Sequence, residues 1–339
     1  YELVRRMVSE VQDISNALNE REKVTAMLAG LLHDIGHGPY SHAFEGVTKT
    51  SHEEFTCRII EENTEITKIL EDCCEGLSKD VADVIRHESS NPLLSQLISS
   101  QLDADRFDYL LRDAYFTGTK YGEYDLERIL RTMRVHDGKQ LVIKESGVYA
   151  VENYIMARYH MYWQVYYHPV ARSYETVLHL LFKRLKDLGY ENVDEHVISL
   201  FEPIISGKKI SLDAYFQLDE TSCGYGFHLL TKHPDPIISD LAIRIRDRIL
   251  FEYQYSQPNE NRKIRNALKK NGYDLHYYWA KDEVAQSPYV PYSGSGTGSI
   301  WVRMKDGSTK ELSNASNIVY SLIHGPEKDD NKVYFPKVE

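Results

Sequence analysis

Residues 31–54 read LLHDIGHGPYSHAFEGVTKTSHEE, and this stretch decides how the chain is to be understood. The apolar run Leu28-Ala29-Gly30-Leu31-Leu32 leads straight into the doublet His33-Asp34. Gly36 and Gly38-Pro39 then end the helix that the run predicts. Side chains at adjacent helix positions diverge by about 100°, so a neighbouring His and Asp reach one region more easily where a helix stops. A histidine near a helix C-terminus is favourable on its own, through the dipole. That ordinary explanation does not cover Asp34, which the dipole disfavours, nor the three histidines that follow, His37, His42 and His52. Acids and imidazoles at the end of an apolar helix must be paired, neutralised or bound to a cation. His33 and Asp34 are therefore read as ligands of a divalent metal ion. Imidazole and carboxylate suit Zn, Mn, Fe, Co or Mg and do not choose among them.

The rest of the composition is that of a globular protein. The chain has 339 residues, 42% hydrophobic and 27% charged, with 40 Lys and Arg against 51 Asp and Glu, a net charge of −11. That balance argues against a broad nucleic-acid footprint. The four cysteines, Cys57, Cys73, Cys74 and Cys223, form no CxxC pair, which points to a reduced, cytoplasmic setting. There is no apolar run long enough to span a bilayer, so no membrane partner is expected. Residue 1 is Tyr and a helical pattern starts at once, so a further segment is expected upstream.

Outward from the doublet, the pattern is mostly helical. Tyr1–Leu18 reads as one amphipathic helix and Asn19 with Glu22 as a capping pair for the next. Ser51-His52-Glu53-Glu54 fits a capping box that opens a helix to Glu62. Helices over Lys79–His87 and Leu93–Ala114 follow. The second contains LDADRFDYLLRD, in which Asp105, Tyr109 and Asp113 recur at i, i+4 and i+8 on one face. An acidic helix face is usually just solvated, but a metal doublet in need of another carboxylate makes Asp105 a third ligand. Gln140–Lys144 and Gly147–Val151 read as a hairpin. Glu152–Leu188 is the longest helical stretch, kinked or ended at Pro169. In it Arg158, Tyr162 and Tyr166 share a face, and a cation between tyrosines suits an anionic ligand that carries a ring. Beyond Gly189 the signals weaken. Helices are expected near Asp194–Ile205, Ile237–Glu252 and Asn259–Asn271, a flexible loop at Gly294–Gly298, and a small sheet from Ile300–Met304 and Val333–Phe335. Two regions result, 1–188 as the catalytic helical core and 189–339 as a smaller part for oligomerisation and regulation.

LLHDIGHGPYSHAFEG, TSHEE, DADRFDYLLRD and ARYHMYWQVYYH, in that order, resemble the HD-superfamily deoxynucleoside triphosphate triphosphohydrolases, the bacterial relatives of the vertebrate antiviral dNTPase. The resemblance covers residues 22–175. It implies an HD-domain helical core followed by a smaller mixed α/β C-terminal part. It also implies a metal set of His33, Asp34, Asp105 and a histidine upstream of Tyr1. His52 matches the family's catalytic histidine and Glu45 the carboxylate that holds it, where vertebrate members have Asp. His37 and His42 match histidines on the phosphate side, and His42 is counted with the catalytic group. Arg106, where some members have Lys, and Arg158 match phosphate-binding positions. Tyr109 and Asp113 match residues around the sugar, Tyr166 one beside the nucleoside, and Tyr162 stands where some members have His.

The activity implied is hydrolysis of a dNTP to deoxynucleoside and triphosphate. The resemblance also implies a homo-oligomer, typically a tetramer, with a dNTP as activator. Arg248 matches a family regulatory arginine, while Glu252 replaces a lysine at its side. Two other readings stay open: an HD phosphohydrolase for a monophosphate or cyclic nucleotide, and a nucleotide sensor that binds without cleaving.

Overall fold

The computed structural model describes residues 1–48, 50–189, 193, 195, 197, 199–201, 210–282, 298–325 and 330–338. The chain is mostly α-helical with small sheets. In order, the helices up to residue 187 are α1 Glu2–Glu10, α2 Gln12–Ala17, α3 Glu20–Leu32, α4 His42–Thr48, α5 His52–Glu61, α6 Glu65–Cys73, α7 Leu77–Ile85, α8 Pro92–Ile98, α9 Ala104–Thr117, α10 Leu126–Thr132, α11 Val148–Met161 and α12 Pro169–Asp187. The strands are β1 Met133–His136, β2 Gln140–Lys144, β3 Glu252–Tyr255, β4 Ala280–Asp282, β5 Trp301–Arg303, β6 Thr309–Glu311 and β7 Lys332–Phe335. Among the described residues, no helix is long and apolar enough to cross a membrane.

These elements form two compact units, and the chain passes between them more than once. One unit takes residues 1–36, 56–166 and 298–325; the other takes 37–55, 167–282 and 330–338. The boundary expected at 188/189 falls inside the second unit.

The first unit has one large apolar core. Val4, Met7, Val8 and Ile14 meet Ala26 and Ala29 of α3, Leu93, Leu97 and Ile98 of α8, and Phe107, Tyr154 and Ile155. At Gly30 a Cβ would come within 2.7 Å of Val4 Cγ2, so α1 and α3 approach closely because this position has no side chain. Asn19 opens α3 as expected: Asn19 Oδ1 accepts from Glu22 N–H at 3.0 Å and Glu22 Oε2 from Asn19 N–H at 2.8 Å.

Several expected elements are divided. Tyr1–Leu18 is two helices, split at Val11, whose extended φ −86, ψ 98 lets both halves bury apolar residues. Leu93–Ala114 is α8 and α9, broken where Asp103 takes the N-cap and accepts from the N–H groups of Ser100 and Arg106, each at 2.7 Å. The hairpin is β1 with β2, around Asp137-Gly138, both left-handed at φ 49 and φ 70. Residues 148–151 open α11 instead, because Val148, Val151, Tyr154 and Ile155 are buried at helical spacing. Glu152–Leu188 is interrupted by a π-helical turn, Tyr162–Tyr166, and Pro169 starts α12 at its first turn. Ile300–Met304 and Val333–Phe335 lie in different sheets. β5 joins the order β1-β2-β5-β6 of the first unit, parallel to β2, whereas β7 is central in the order β3-β7-β4 of the second. Of the helix expected near Asp194–Ile205, the described residues 195, 197 and 199–201 are helical; most of the Gly294–Gly298 loop lies outside the described residues. Those near Ile237–Glu252 and Asn259–Asn271 are Pro236–Asp247 and Pro258–Lys270.

Gly147 precedes α11 against the hairpin. A Cβ there would lie 2.6 Å from Thr132 Cβ and 2.7 Å from Ile143 Cγ2, both buried. Gly147→Ala is expected to cost about 1–3 kcal/mol by overpacking, read as a lowered thermal midpoint in calorimetry.

Candidate active site

The first unit holds the doublet. Helix α3 ends with His33 at its C-cap, and the turn beyond it is closed from 20 residues away. Thr56, fully buried on α5, donates its hydroxyl to the His33 carbonyl at 2.8 Å and accepts from Gly36 N–H at 2.9 Å. This hydroxyl fixes the direction in which His33 and Asp34 leave the helix. Asp105 comes from the first turn of α9, where an acid is favoured by the helix dipole.

His33 Nε2 lies 3.4 Å from Asp34 Oδ1 and 3.4 Å from Asp105 Oδ1. Both ring nitrogens of His33 are buried, and neither meets hydrogen-bond geometry with a described residue. Two ligands bound to one small cation at about 2.1 Å each stand roughly 3.0–3.4 Å apart. The separations and the orphaned nitrogens fit a shared divalent cation better than a hydrogen-bonded triad. Burial works against protonating His33, yet the two carboxylates outweigh it and raise its pKa. Burial likewise pushes Asp105 up, and His33, Arg106 and Arg112 outweigh that to lower it. A cavity of about 540 Å³ lies beside the three residues, bordered by Gly30, Asp108 and Arg112.

Continuing along α9, Tyr109 and Asp113 meet the aromatic end of α11. The Tyr166 hydroxyl donates to Asp113 Oδ2 at 2.8 Å, and the Tyr109 and Tyr166 rings meet edge to face at 6.0 Å. Tyr109 shares a hydrogen bond with Tyr162, and burial raises its hydroxyl pKa strongly. Tyr162 and Tyr166 sit 5.3 Å apart, and the Arg158 guanidinium lies 5.6 Å from the Tyr162 ring centre. The π-helical turn keeps these two tyrosines on one side.

Two residues that the sequence reading passed over hold the arginines. Arg158, buried, donates to Gln101 Oε1 at 2.5 Å. Arg106 pairs with Asp103 and the Ser100 carbonyl. Asp103 is 1% exposed, and burial pushes its pKa up to about 6 against the pull of Arg106. The Nε atoms of Arg106 and Arg158 are both buried and outside hydrogen-bond geometry with described residues. The i+2 neighbour Asp105 was legible as a ligand, but nothing in the local pattern marked Asp103 as a buried counter-ion.

The second unit holds His37, His42, Glu45 and His52. Glu45 Oε1 accepts from His52 N–H at 2.6 Å and meets His52 Nδ1 at 2.7 Å, while its other oxygen meets His42 Nδ1 at 2.8 Å. One carboxylate thus orients two imidazoles. Burial raises the Glu45 pKa, and the bonds from His42 and His52 more than offset it, leaving the carboxyl lowered. His37 stacks on His52 with ring centres 3.9 Å apart and planes 13° apart. A metal ion lies in the plane of each imidazole that binds it, so near-parallel stacked rings cannot both ligate one ion. This group suits proton transfer and anion contact better than a second metal cage.

Arg248 lies apart in sequence and serves another cavity of the second unit. It caps the helix Pro236–Asp247 in the left-handed region, φ 55, and lines a space of about 450 Å³ with Arg246, Tyr40 and Tyr174. Glu252 is exposed on β3.

Residues 3–113 match the HD domain family and residues 124–197 match the HD associated region. The chain is 44% identical to the uncharacterized protein YwfO of Bacillus subtilis over 345 residues, 99% of this chain and 79% of that one. The deoxynucleoside triphosphate triphosphohydrolase SAMHD1 homolog of Dictyostelium discoideum is 29% identical over 48% of this chain and 33% of its own length. A crystal structure of a phosphohydrolase from Bacteroides thetaiotaomicron superposes with a TM-score of 0.78 at 26% identity, covering 99% of this chain and 85% of the other. The chain belongs to the HD-domain family.

Two consequences separate ligands from supports. Asp105→Asn is expected to weaken divalent-metal binding at least about 100-fold, more than the loss of an outer partner would, while the thermal midpoint of the metal-free protein stays near that of the parent. Metal content by mass spectrometry after dialysis checks it. Arg106→Ala strands Asp103 in the interior, and unfolding in denaturant should show a loss of about 3–5 kcal/mol.

Proposed function

We propose that the protein is a metal-dependent phosphohydrolase that converts a dNTP and water into deoxynucleoside and triphosphate by attack at the α-phosphorus. The observation that carries this reading is the layout of α9. Asp105, Tyr109 and Asp113 lie along roughly 12 Å of one helix face, a span that a nucleotide fills from phosphate to sugar. Tyr166 meets that face at Asp113, Tyr162 meets it at Tyr109, and Arg158 bonds Gln101 just ahead of the helix. The relatives named as deoxynucleoside triphosphate triphosphohydrolases support the same substrate class.

His33, Asp34 and Asp105 would hold the cation, which supplies Lewis-acid polarisation of the phosphoryl group. The remaining work falls to the chain. His52 keeps its Nδ1 proton against Glu45, so Nε2 is the atom that gives a proton to the departing 5′-oxygen. Glu45 stays ionised and stabilises the His52 imidazolium, which carries a proton on both ring nitrogens and gives up the one on Nε2; the extra methylene of Glu relative to Asp lets one carboxylate reach His42 as well. His37, Arg106 and Arg158 offer donors to the phosphate oxygens, where negative charge builds as the bond breaks. Tyr109, fixed by Tyr162, forms a wall against the 2′ position that a ribose hydroxyl would meet. Asp113, fixed by Tyr166, accepts from the 3′-hydroxyl.

The same reading proposes a homo-oligomer activated by a dNTP, with Arg248 and its neighbour Arg246 as the anion-binding pair of the regulatory cavity.

Ion-exchange analysis of products from each dNTP, alone and in mixtures with Mn or Mg, should give intact triphosphate. Release of diphosphate or monophosphate would contradict the reading. His52→Ala should keep its metal and lose about 10²- to 10⁴-fold in turnover, the range for a general acid.

A further inference from the structure

We infer that Tyr40 is a positioning residue for His42, holding a strained turn so that the first turn of α4 presents His42 to Glu45. The inference rests on the reading of Glu45 and its histidines as the acid–base group. Tyr40 and Ser41 are consecutive non-glycine residues in the left-handed region, at φ 60 and φ 48. That conformation is uncommon for one residue with a bulky side chain, and two in a row persist only where the surroundings enforce them.

Tyr40 supplies the enforcement from within its own unit. Its ring lies 6.1 Å from that of Tyr174 on α12 and 6.0 Å from that of Phe227 on the helix Glu220–Leu230. Its hydroxyl shares a hydrogen bond with Tyr174, and its backbone N–H donates to Glu220 Oε1 at 3.4 Å. Ser41 N–H folds back onto the Gly38 carbonyl at 3.1 Å.

The pinned residues then set the direction of α4. The Tyr40 carbonyl accepts from Ala43 N–H at 3.2 Å, and the Ser41 carbonyl accepts from Phe44 and Glu45 N–H at 3.0 and 3.3 Å. His42 and Glu45 both lie on this first turn. The His42 side chain is 75% exposed, and its ring meets those of His37 and His52 edge-on at 4.8 and 5.3 Å. Its aim depends on the backbone that carries it and on the bond to Glu45. A turn that needed only the left-handed conformation would be served by glycine, as at Gly118 and Gly138. A tyrosine at position 40 adds an anchor that glycine lacks.

The test compares Tyr40→Gly with Tyr40→Phe in the metal-loaded full chain. Glycine accepts the backbone conformation but has no anchor; phenylalanine keeps the ring. Nitrogen-15 NMR of the histidines reports which of them hold an Nδ1 proton against a carboxylate, independently of turnover. In Tyr40→Gly the signature should disappear from His42 and persist at His52, with kcat lowered on the order of 10- to 100-fold, as for a small misplacement, and KM little changed. Tyr40→Phe should retain the signature and most of kcat. Should Tyr40→Gly fail to fold, Tyr174→Ala removes the anchor's support from the other side, and the same selective loss is expected. An unchanged His42 signature in the folded anchor variant overturns the inference. Loss of that signature with full turnover would instead sink the catalytic reading of His42 and leave the positioning role standing.

Discussion

The constraint on which the first unit depends is a buried imidazole set between two carboxylates. Both ring nitrogens of His33 are buried and outside hydrogen-bond geometry with the described residues, and Asp34 and Asp105 stand 3.4 Å from the same nitrogen. Such a group is costly without a cation, because desolvated charge must be compensated. The surrounding structure is built to bring it about. The Asn19–Glu22 capping box starts α3, Thr56 closes its end, and the break at Asp103 places Asp105 in a first turn where an acid is favoured. Each of these is a small local preference, and together they fix three side chains from two helices to one point.

The second unit has an equivalent constraint in Glu45, a single carboxylate that serves two histidines and an amide. Its lowered pKa keeps it charged, so it can hold both imidazoles through their Nδ1 atoms. The stacking of His37 on His52 excludes a shared in-plane ion and leaves these rings for protons and anions. On the proposed reading the two groups divide the chemistry by atom type: carboxylates and one imidazole for a cation, and imidazoles steered by one carboxylate for the proton.

Much of this was legible in the sequence because it is local. The helix that ends at His33-Asp34, the capping pair Asn19–Glu22, and the faces Asp105/Tyr109/Asp113 and Arg158/Tyr162/Tyr166 all follow from spacing within a few residues. Apolar spacing runs on through Leu97, Ile98 and Leu102, so the Asp103 cap that splits α8 from α9 was hidden. Asp137-Gly138 makes the hairpin turn, and Val148 and Val151 are helical because they are buried on one face with Tyr154 and Ile155. Thr56, Gln101 and Asp103 act through partners distant in sequence or through burial, neither of which leaves a periodic trace. The passage of residues 37–55 and 298–325 between units is likewise a matter of tertiary packing.

The central claim is that water attacks the α-phosphorus. It is tested most directly by hydrolysing a dNTP in oxygen-18 water with the metal-loaded chain and locating the label by mass spectrometry. The account predicts oxygen-18 in the triphosphate and none in the deoxynucleoside. Label in the 5′-hydroxyl of the deoxynucleoside, or in released inorganic phosphate, would contradict it.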